Sequence, residues 1–242
     1  MRILALILLI LESQAAFAGA DYPREKKWAD EVVPGIVIGD PVYLELKNGH
    51  KFLTIFTETK NAKVGLVVVH GIGVHPDWNM IGTLRTQLAE HGYTTLSIQM
   101  PVLSNEAKAG AYDALFPEAE GRIQLAADFL RGKGYKNIAI VSHSMGSAMS
   151  MHYVKNKQNG LLAWVSAGLG HNFTYSGIHI PVLDLYGEYD LPPVMKLANK
   201  RAESLKGNAK SRQVMVPRSD HFMNNHEVEM MGTVTKFLDD LR

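Results

Sequence analysis

The run Val64–Val69 reads Val-Gly-Leu-Val-Val-Val and carries no polar side chain. A strand of that kind has to be covered by apolar groups on both faces, and a parallel sheet between helix layers provides such cover. The rest of the chain supplies the layers. Residues 79–91 place Ile81, Leu84 and Leu88 at helical spacing and close on Gly92. A strand is predicted over 94–99. The helix over 118–131 has Ile123, Ala126, Ala127 and Leu130 on one face, and a strand follows over 137–141. Met145–Lys157 reads as a helix, 161–165 and 182–186 as strands, and 193–205 as a helix with proline in its first turn. A strand over 213–216 and a helix over 227–241 end the pattern, with Val228, Met231, Leu238 and Leu241 predicted to face inward. Ahead of all this, 41–46 and Lys51–Thr57 flank Asn48-Gly49, a strong hairpin signal. The predicted class is α/β: a mainly parallel sheet with an antiparallel N-terminal hairpin and helices on both faces. One domain spans 41–242, preceded by a polar lead-in over 21–40.

Composition narrows the function classes. Hydrophobic residues make up 46% of the 242, as a packed core requires. The 25 Lys and Arg balance 24 Asp and Glu, so the net charge of +1 predicts neither nucleic acid nor an anionic membrane as partner. The absence of cysteine excludes disulfides, a thiol nucleophile and thiolate metal sites. The 11 methionines are scattered at core-like positions.

The N-terminus predicts a destination. Arg2 precedes an apolar run from Ile3 to Leu11, and small residues recur at Ala16, Ala18, Gly19 and Ala20. A basic start, a short apolar stretch and a small-x-small site make a secretory signal sequence over residues 1–20, with cleavage after Ala18 or after Ala20. The run is shorter than the about 20 residues a spanning helix needs. The expectation is export to a bacterial periplasm or beyond, with no stable membrane span after cleavage.

Chemistry concentrates where a strand runs into Ser142-His143-Ser144-Met145-Gly146 and then into a helix. A serine at the tip of a strand–turn–helix needs small residues two before and two after it, because the turn is too tight for larger ones. Ser142 and Gly146 meet that need, although the first position is ordinarily glycine. The turn would lift the Ser144 hydroxyl toward the cleft, with the start of a helix behind it favouring negative charge.

A serine hydroxyl needs a base, and the base needs an orienting acid. Sheets that carry this turn deliver them after the serine, acid first. Gly187-Glu188-Tyr189-Asp190 follows one apolar strand and Asp220-His221-Phe222 follows the next. The carboxyl ends of the strands are where open α/β sheets build their sites. Five of the ten histidines follow Ser144, namely His152, His171, His179, His221 and His226. Only His221 has both the order and the loop. Asp190 is the preferred acid. Glu188 is its rival, and Asp184 lies inside the strand, where its side chain should not reach the loop face.

An acyl-transfer site also needs backbone N–H groups aimed at the developing oxyanion. The amide of Met145 is one candidate. The loop His70-Gly71-Ile72-Gly73 offers Ile72, with Gly73 as alternative. Gly73, His75 and His143 are further candidates to line the cleft, and Trp78 to pack under the helix after it. A metal cluster of His70, His75, Asp77 and His221 can be drawn, but it lacks the spacing of a zinc site. No metal or cofactor is expected.

These three loops resemble the signature loops of the α/β-hydrolase superfamily over roughly residues 41–242. More narrowly, 70–78, 96–101 and 182–187 resemble an exported bacterial family of α/β-hydrolase-like proteins with no assigned function. The resemblance implies a serine hydrolase fold and a Ser-His-Asp triad but no substrate; the reaction expected from the residues is acyl transfer to water from a small-molecule acyl substrate. The span 166–181 is too short for a cap domain, and 101–117 is the longer irregular connection, expected as a partial cover. The alternative expectation is a non-catalytic envelope protein that keeps the fold to bind a ligand or partner.

Overall fold

A computed structural model of the protein describes residues 19–242. The predicted signal run from Ile3 to Leu11 and the site after Ala18 lie outside the described residues. The strands are β1 (Asp40–Glu45), β2 (Lys51–Thr57), β3 (Val64–Val69), β4 (Thr94–Ile98), β5 (Asn137–His143), β6 (Leu161–Ala167), β7 (Val182–Gly187) and β8 (Arg212–Val216). The α-helices are α1 (Tyr22–Val32), α2 (Asn79–Glu90), α3 (Phe116–Gly132), α4 (Met145–Lys157), α5 (Pro192–Leu205) and α6 (Glu227–Asp239). The strands form one sheet in the order β1-β2-β4-β3-β5-β6-β7-β8. β1–β2 and β2–β4 pair antiparallel and the rest pair parallel, as the hairpin signal and the apolar strands require.

β3 shows why the strands are apolar throughout. Val67 and Val69 pack with Ile123, Leu130 and Met149 from α3 and α4 on one side. Val64, Leu66 and Val68 pack with Ile81, Leu84, Leu88 and Phe237 from α2 and α6 on the other. The chain leaves β3 toward β4 and comes back to β5 on the opposite side. That reversal opens a crevice at the carboxyl ends of β3 and β5, where α/β sheets bind ligands.

Three expectations are corrected. Residues 21–40 are not only a lead-in, since they contain α1. Its buried side chains are Glu25 and Ala29, so no apolar period marks it. Glu25 docks the helix through a bidentate ion pair to buried Arg122, at 2.9 and 3.0 Å. Val228 is 82% exposed. At about 100° per residue it lies roughly 120° from the buried face made by Met230, Met231, Val234, Phe237 and Leu238. Trp78 does not pack under α2; its ring meets that of Phe222 edge-on, 5.5 Å between centroids. Among the described residues, no helix is long and apolar enough to cross a membrane.

The far half of the sheet is tied by a buried ion pair. Arg201 of α5 reaches both carboxylate oxygens of Asp184 in β7, at 3.0 and 2.9 Å, and both residues are fully buried. Tyr175 and Gln213 donate to the same carboxylate at 2.8 and 2.7 Å. Burial raises the Asp184 pKa despite the neighbouring guanidinium. The bond from Arg201 to the Leu169 carbonyl, 2.9 Å, carries the network to the strand ends. Removing one partner of such a pair strands a buried charge. Arg201→Met is expected to lower the unfolding free energy by about 3–5 kcal/mol, read from urea denaturation. A loss below about 1 kcal/mol, the range of exposed pairs, would refute this account of the network.

Candidate active site

The site begins with a strained residue. Ser144 follows β5 at φ 57° and ψ −123°, a region that L-residues enter at a cost of about 1–3 kcal/mol. Its amide donates to the Ala167 carbonyl at 2.8 Å, which fixes the turn against β6. Two residues on, a Cβ at Gly146 would overlap the His70 carbonyl oxygen, so α4 crosses β3 at a distance only glycine permits. Ser142, where glycine is usual, is accommodated by bonds. Its hydroxyl accepts from the buried Trp164 indole N–H at 2.8 Å, donates to the Val165 carbonyl at 3.1 Å and lies 3.1 Å from the Ser147 hydroxyl.

The other chemistry-bearing side chains converge on this turn. The Ser144 hydroxyl lies 2.9 Å from Nε2 of His221. Nδ1 of His221 lies 2.5 Å from Oδ1 of Asp190. Asp190 is held by the amides of Leu191, at 2.7 Å, and Gly187, at 3.2 Å. Its carboxylate is sealed from water, while the His221 side chain keeps 7% of its surface. Ser144 is half-buried. Residues 101–117 therefore leave part of it exposed, and Val102, Leu103, Tyr112, Leu115 and Phe116 of that stretch are themselves buried. Glu188, the rival acid, instead accepts from the Arg218 amide at 2.8 Å. Asp184 sits in the buried network below, as its place within the strand requires.

The loop after β3 runs beside the serine. The pairing of Val69 with Ser142 aligns β3 with β5 here. A Cβ on Gly71 would lie 3.1 Å from the Ser144 Cβ. Among the described residues, the amides of Ile72 and Met145 donate to no backbone carbonyl. The helix start makes this natural for Met145, whose N–H belongs to the first turn. Ile72 itself is exposed. His75 turns away toward α1, its ring 5.9 Å from that of Trp28. His70 uses Nδ1 on the Gly71 carbonyl, 2.8 Å, and Nε2 on the Met100 amide, 2.8 Å. Asp77 pairs with Arg85.

The sequence offers His143 only as a candidate to line the cleft, whereas it is buried, and it assigns no role to Asp220 or Gly168. His143 lies under His221, ring centroids 4.7 Å apart, and its Nε2–H donates to the His221 carbonyl at 2.9 Å. Asp220 accepts from the amides of Phe222 and Asn224, at 2.9 and 3.1 Å, and so shapes the loop that carries His221. Gly168, just past β6, leaves room for the His221 ring: a Cβ there would come within 2.8 Å of it. A glycine at a strand end was the only hint of this last contact.

Two of these histidines resist protonation. Burial, with His221 alongside, lowers His143 from 6.5 to about 4. Burial lowers His70 from 6.5 to about 3, although the Gly71 carbonyl bond opposes it. Both folded values lie below the unfolded one. Between pH 6.5 and about 4 the unfolded chain therefore takes up protons that the folded chain refuses, and stability falls as pH falls. Each group contributes a slope of about 1.4 kcal/mol per pH unit. His143→Gln keeps a donor for the His221 carbonyl and removes one titrating group. Its denaturation midpoint is expected to fall less than that of the wild type between pH 6.5 and 5. Parallel curves would contradict the assignment.

Residues 43–120 match a family described as "Protein of unknown function (DUF3530)". No curated protein matches the sequence. Solved structures match the fold over most of their length. Est1E from Butyrivibrio proteoclasticus is 14% identical with a TM-score of 0.66, covering 84% of this chain and 98% of that one. A dienelactone hydrolase from Anabaena variabilis is 18% identical with a TM-score of 0.67, covering 84% and 99%. XC6422 from Xanthomonas campestris, described as an α/β serine hydrolase without a lid, is 13% identical with a TM-score of 0.65, covering 85% and 95%. The chain has the α/β-hydrolase fold.

Proposed function

We propose that this α/β-hydrolase-fold protein is a serine hydrolase that transfers the acyl group of an ester or related small molecule to water. The observation that carries the reading is the unbroken hydrogen-bonded line from Asp190 through His221 to the Ser144 hydroxyl. In this reading Nε2 of His221 takes the Ser144 proton as the oxygen attacks the acyl carbon. The carbonyl π electrons move onto oxygen, and the amides of Met145 and Ile72 receive that charge. His221 then gives its proton to the departing alcohol, and the tetrahedral intermediate collapses to an acyl-serine. Water then attacks the acyl-serine as His221 takes its proton; the second tetrahedral intermediate breaks its bond to Ser144, His221 returns the proton to the serine oxygen, and the acid is released. Asp190 holds the imidazole with Nδ1–H directed away from the serine and offsets the imidazolium charge. None of these steps calls on a cofactor.

The half-exposed serine and the short 168–181 connection between β6 and β7 support an open cleft that takes small or exposed esters. The predicted signal sequence supports action in the periplasm or outside the cell.

A fluorophosphonate probe tests the nucleophile. It is expected to label the folded wild type and leave Ser144→Ala unlabelled. Asp190→Asn is expected to reduce the kcat for p-nitrophenyl acetate by about 10³–10⁴. A folded protein with no Ser144-dependent labelling would instead favour a binding protein built on the same fold.

A further inference from the structure

We propose that Arg24, on the helix that follows the predicted export sequence, is a positioning residue for the oxyanion loop. The inference rests on the serine-hydrolase reading above. The Arg24 guanidinium joins two loops at the mouth of the site. Nη1 donates to the Leu103 carbonyl at 2.5 Å and Nη2 to the Gly73 carbonyl at 3.3 Å. The group rests 4.4 Å from the Trp28 ring centroid, and Trp28 in turn faces His75 on the same loop. Gly73 adjoins Ile72 and has φ +66°.

A second tie runs from the same helix to the root of that loop. Arg122, which Glu25 pairs with, donates to the Gln99 carbonyl at 3.0 Å. The Gln99 side-chain nitrogen Nε2 lies 3.0 Å from Nε2 of His70. The Asp21 carboxylate caps α1 through the Arg24 amide at 3.0 Å, and the Asp21 amide donates to the Val102 carbonyl at 2.7 Å. Helix α1 is therefore fixed at both ends of the 70–73 segment.

The loop needs such a clamp. Two of its four residues are glycines, which have the most backbone freedom to lose. Oxyanion donors work only when held within about 0.5 Å of the productive position. A guanidinium offers a planar fork of fixed geometry, so a pair of carbonyls bound to it cannot move independently. Arg24 does not touch the reacting atoms. It acts through the Gly73 carbonyl on the neighbouring amides.

The test uses the full-length chain, p-nitrophenyl acetate as substrate and an aliphatic trifluoromethyl ketone, whose serine adduct carries the oxyanion. Arg24→Met keeps an unbranched side chain of similar reach and removes both donors. It is expected to lower kcat about 10- to 100-fold, less than the loss of a donor itself. KM should stay within about twofold, because the ground-state carbonyl makes weaker use of the donors. Affinity for the ketone should fall by the same factor as kcat. Arg24→Lys, able to reach one carbonyl, should recover part of both. If Arg24→Met does not fold, Trp28→Leu removes the platform alone and should lower kcat and ketone affinity together by a smaller factor. An unchanged kcat in folded Arg24→Met, or a fall in kcat without a matching loss of ketone affinity, overturns the proposal. Ser144→Ala assayed in parallel separates the two claims. Wild-type turnover that survives Ser144→Ala sinks the hydrolase reading, whereas Ser144-dependent turnover indifferent to Arg24 sinks only this one.

Discussion

The left-handed turn at Ser144 is the constraint on which the site depends. A serine there has no intrinsic reason to adopt φ 57°. The conformation persists because its surroundings leave no alternative. The Ser144 amide is committed to the Ala167 carbonyl, and α4 is pressed onto β3 through Gly146. Below, the Ser142 and Ser147 hydroxyls bond to the Val165 and Ala167 carbonyls of the neighbouring strand. The strain is local, and the packing of three strands and a helix sustains it. The serine oxygen is thereby delivered at the crevice where the sheet order reverses.

Around that turn the molecule combines an apolar frame with a few buried polar networks. The apolar strands make the sheet rigid and carry no chemistry. The networks then fix what the frame leaves free. Asp184 and Arg201 bind α5 and β8 to β7, just below the loop that carries Asp190. His143, kept neutral by burial, supports the His221 backbone from beneath. Asp220 orders the turn after the same histidine. Each is held by specific hydrogen bonds, as most groups removed from water are, although Nη2 of Arg201 has no partner among the described residues. The proposed role of Arg24 follows the same logic, a charged group spent on loop carbonyls to hold backbone in place.

The sequence was legible where periodicity is strong. Among the described residues, the eight strands and five of the six α-helices lie within a few residues of their predicted bounds, because apolar runs and helical stripes report burial directly. Helix α1 is not legible in the sequence because it docks through an ion pair: Glu25, which reads as a solvent residue, is 3% exposed. Val228 and Trp78 were misplaced for the opposite reason. An apolar side chain can point outward at a helix start, or toward a neighbouring loop that spacing cannot reveal.

The chain order of Ser144, Asp190 and His221 and their places at strand ends could be read from residues alone, since a strand–turn–helix pattern fixes which end of the sheet a loop occupies. The sequence by itself therefore determined the layered fold and the three residues brought to one end of it. Only the tertiary structure decided that Asp190 rather than Glu188 faces the histidine, that His143 lies beneath it, and that a helix from the N-terminus reaches the glycine loop. Those outcomes depend on distances between segments up to about a hundred residues apart (Glu25 to Arg122 spans 97). Local propensity and periodicity say nothing at that range, because the contacts exist only once the sheet has brought the segments together.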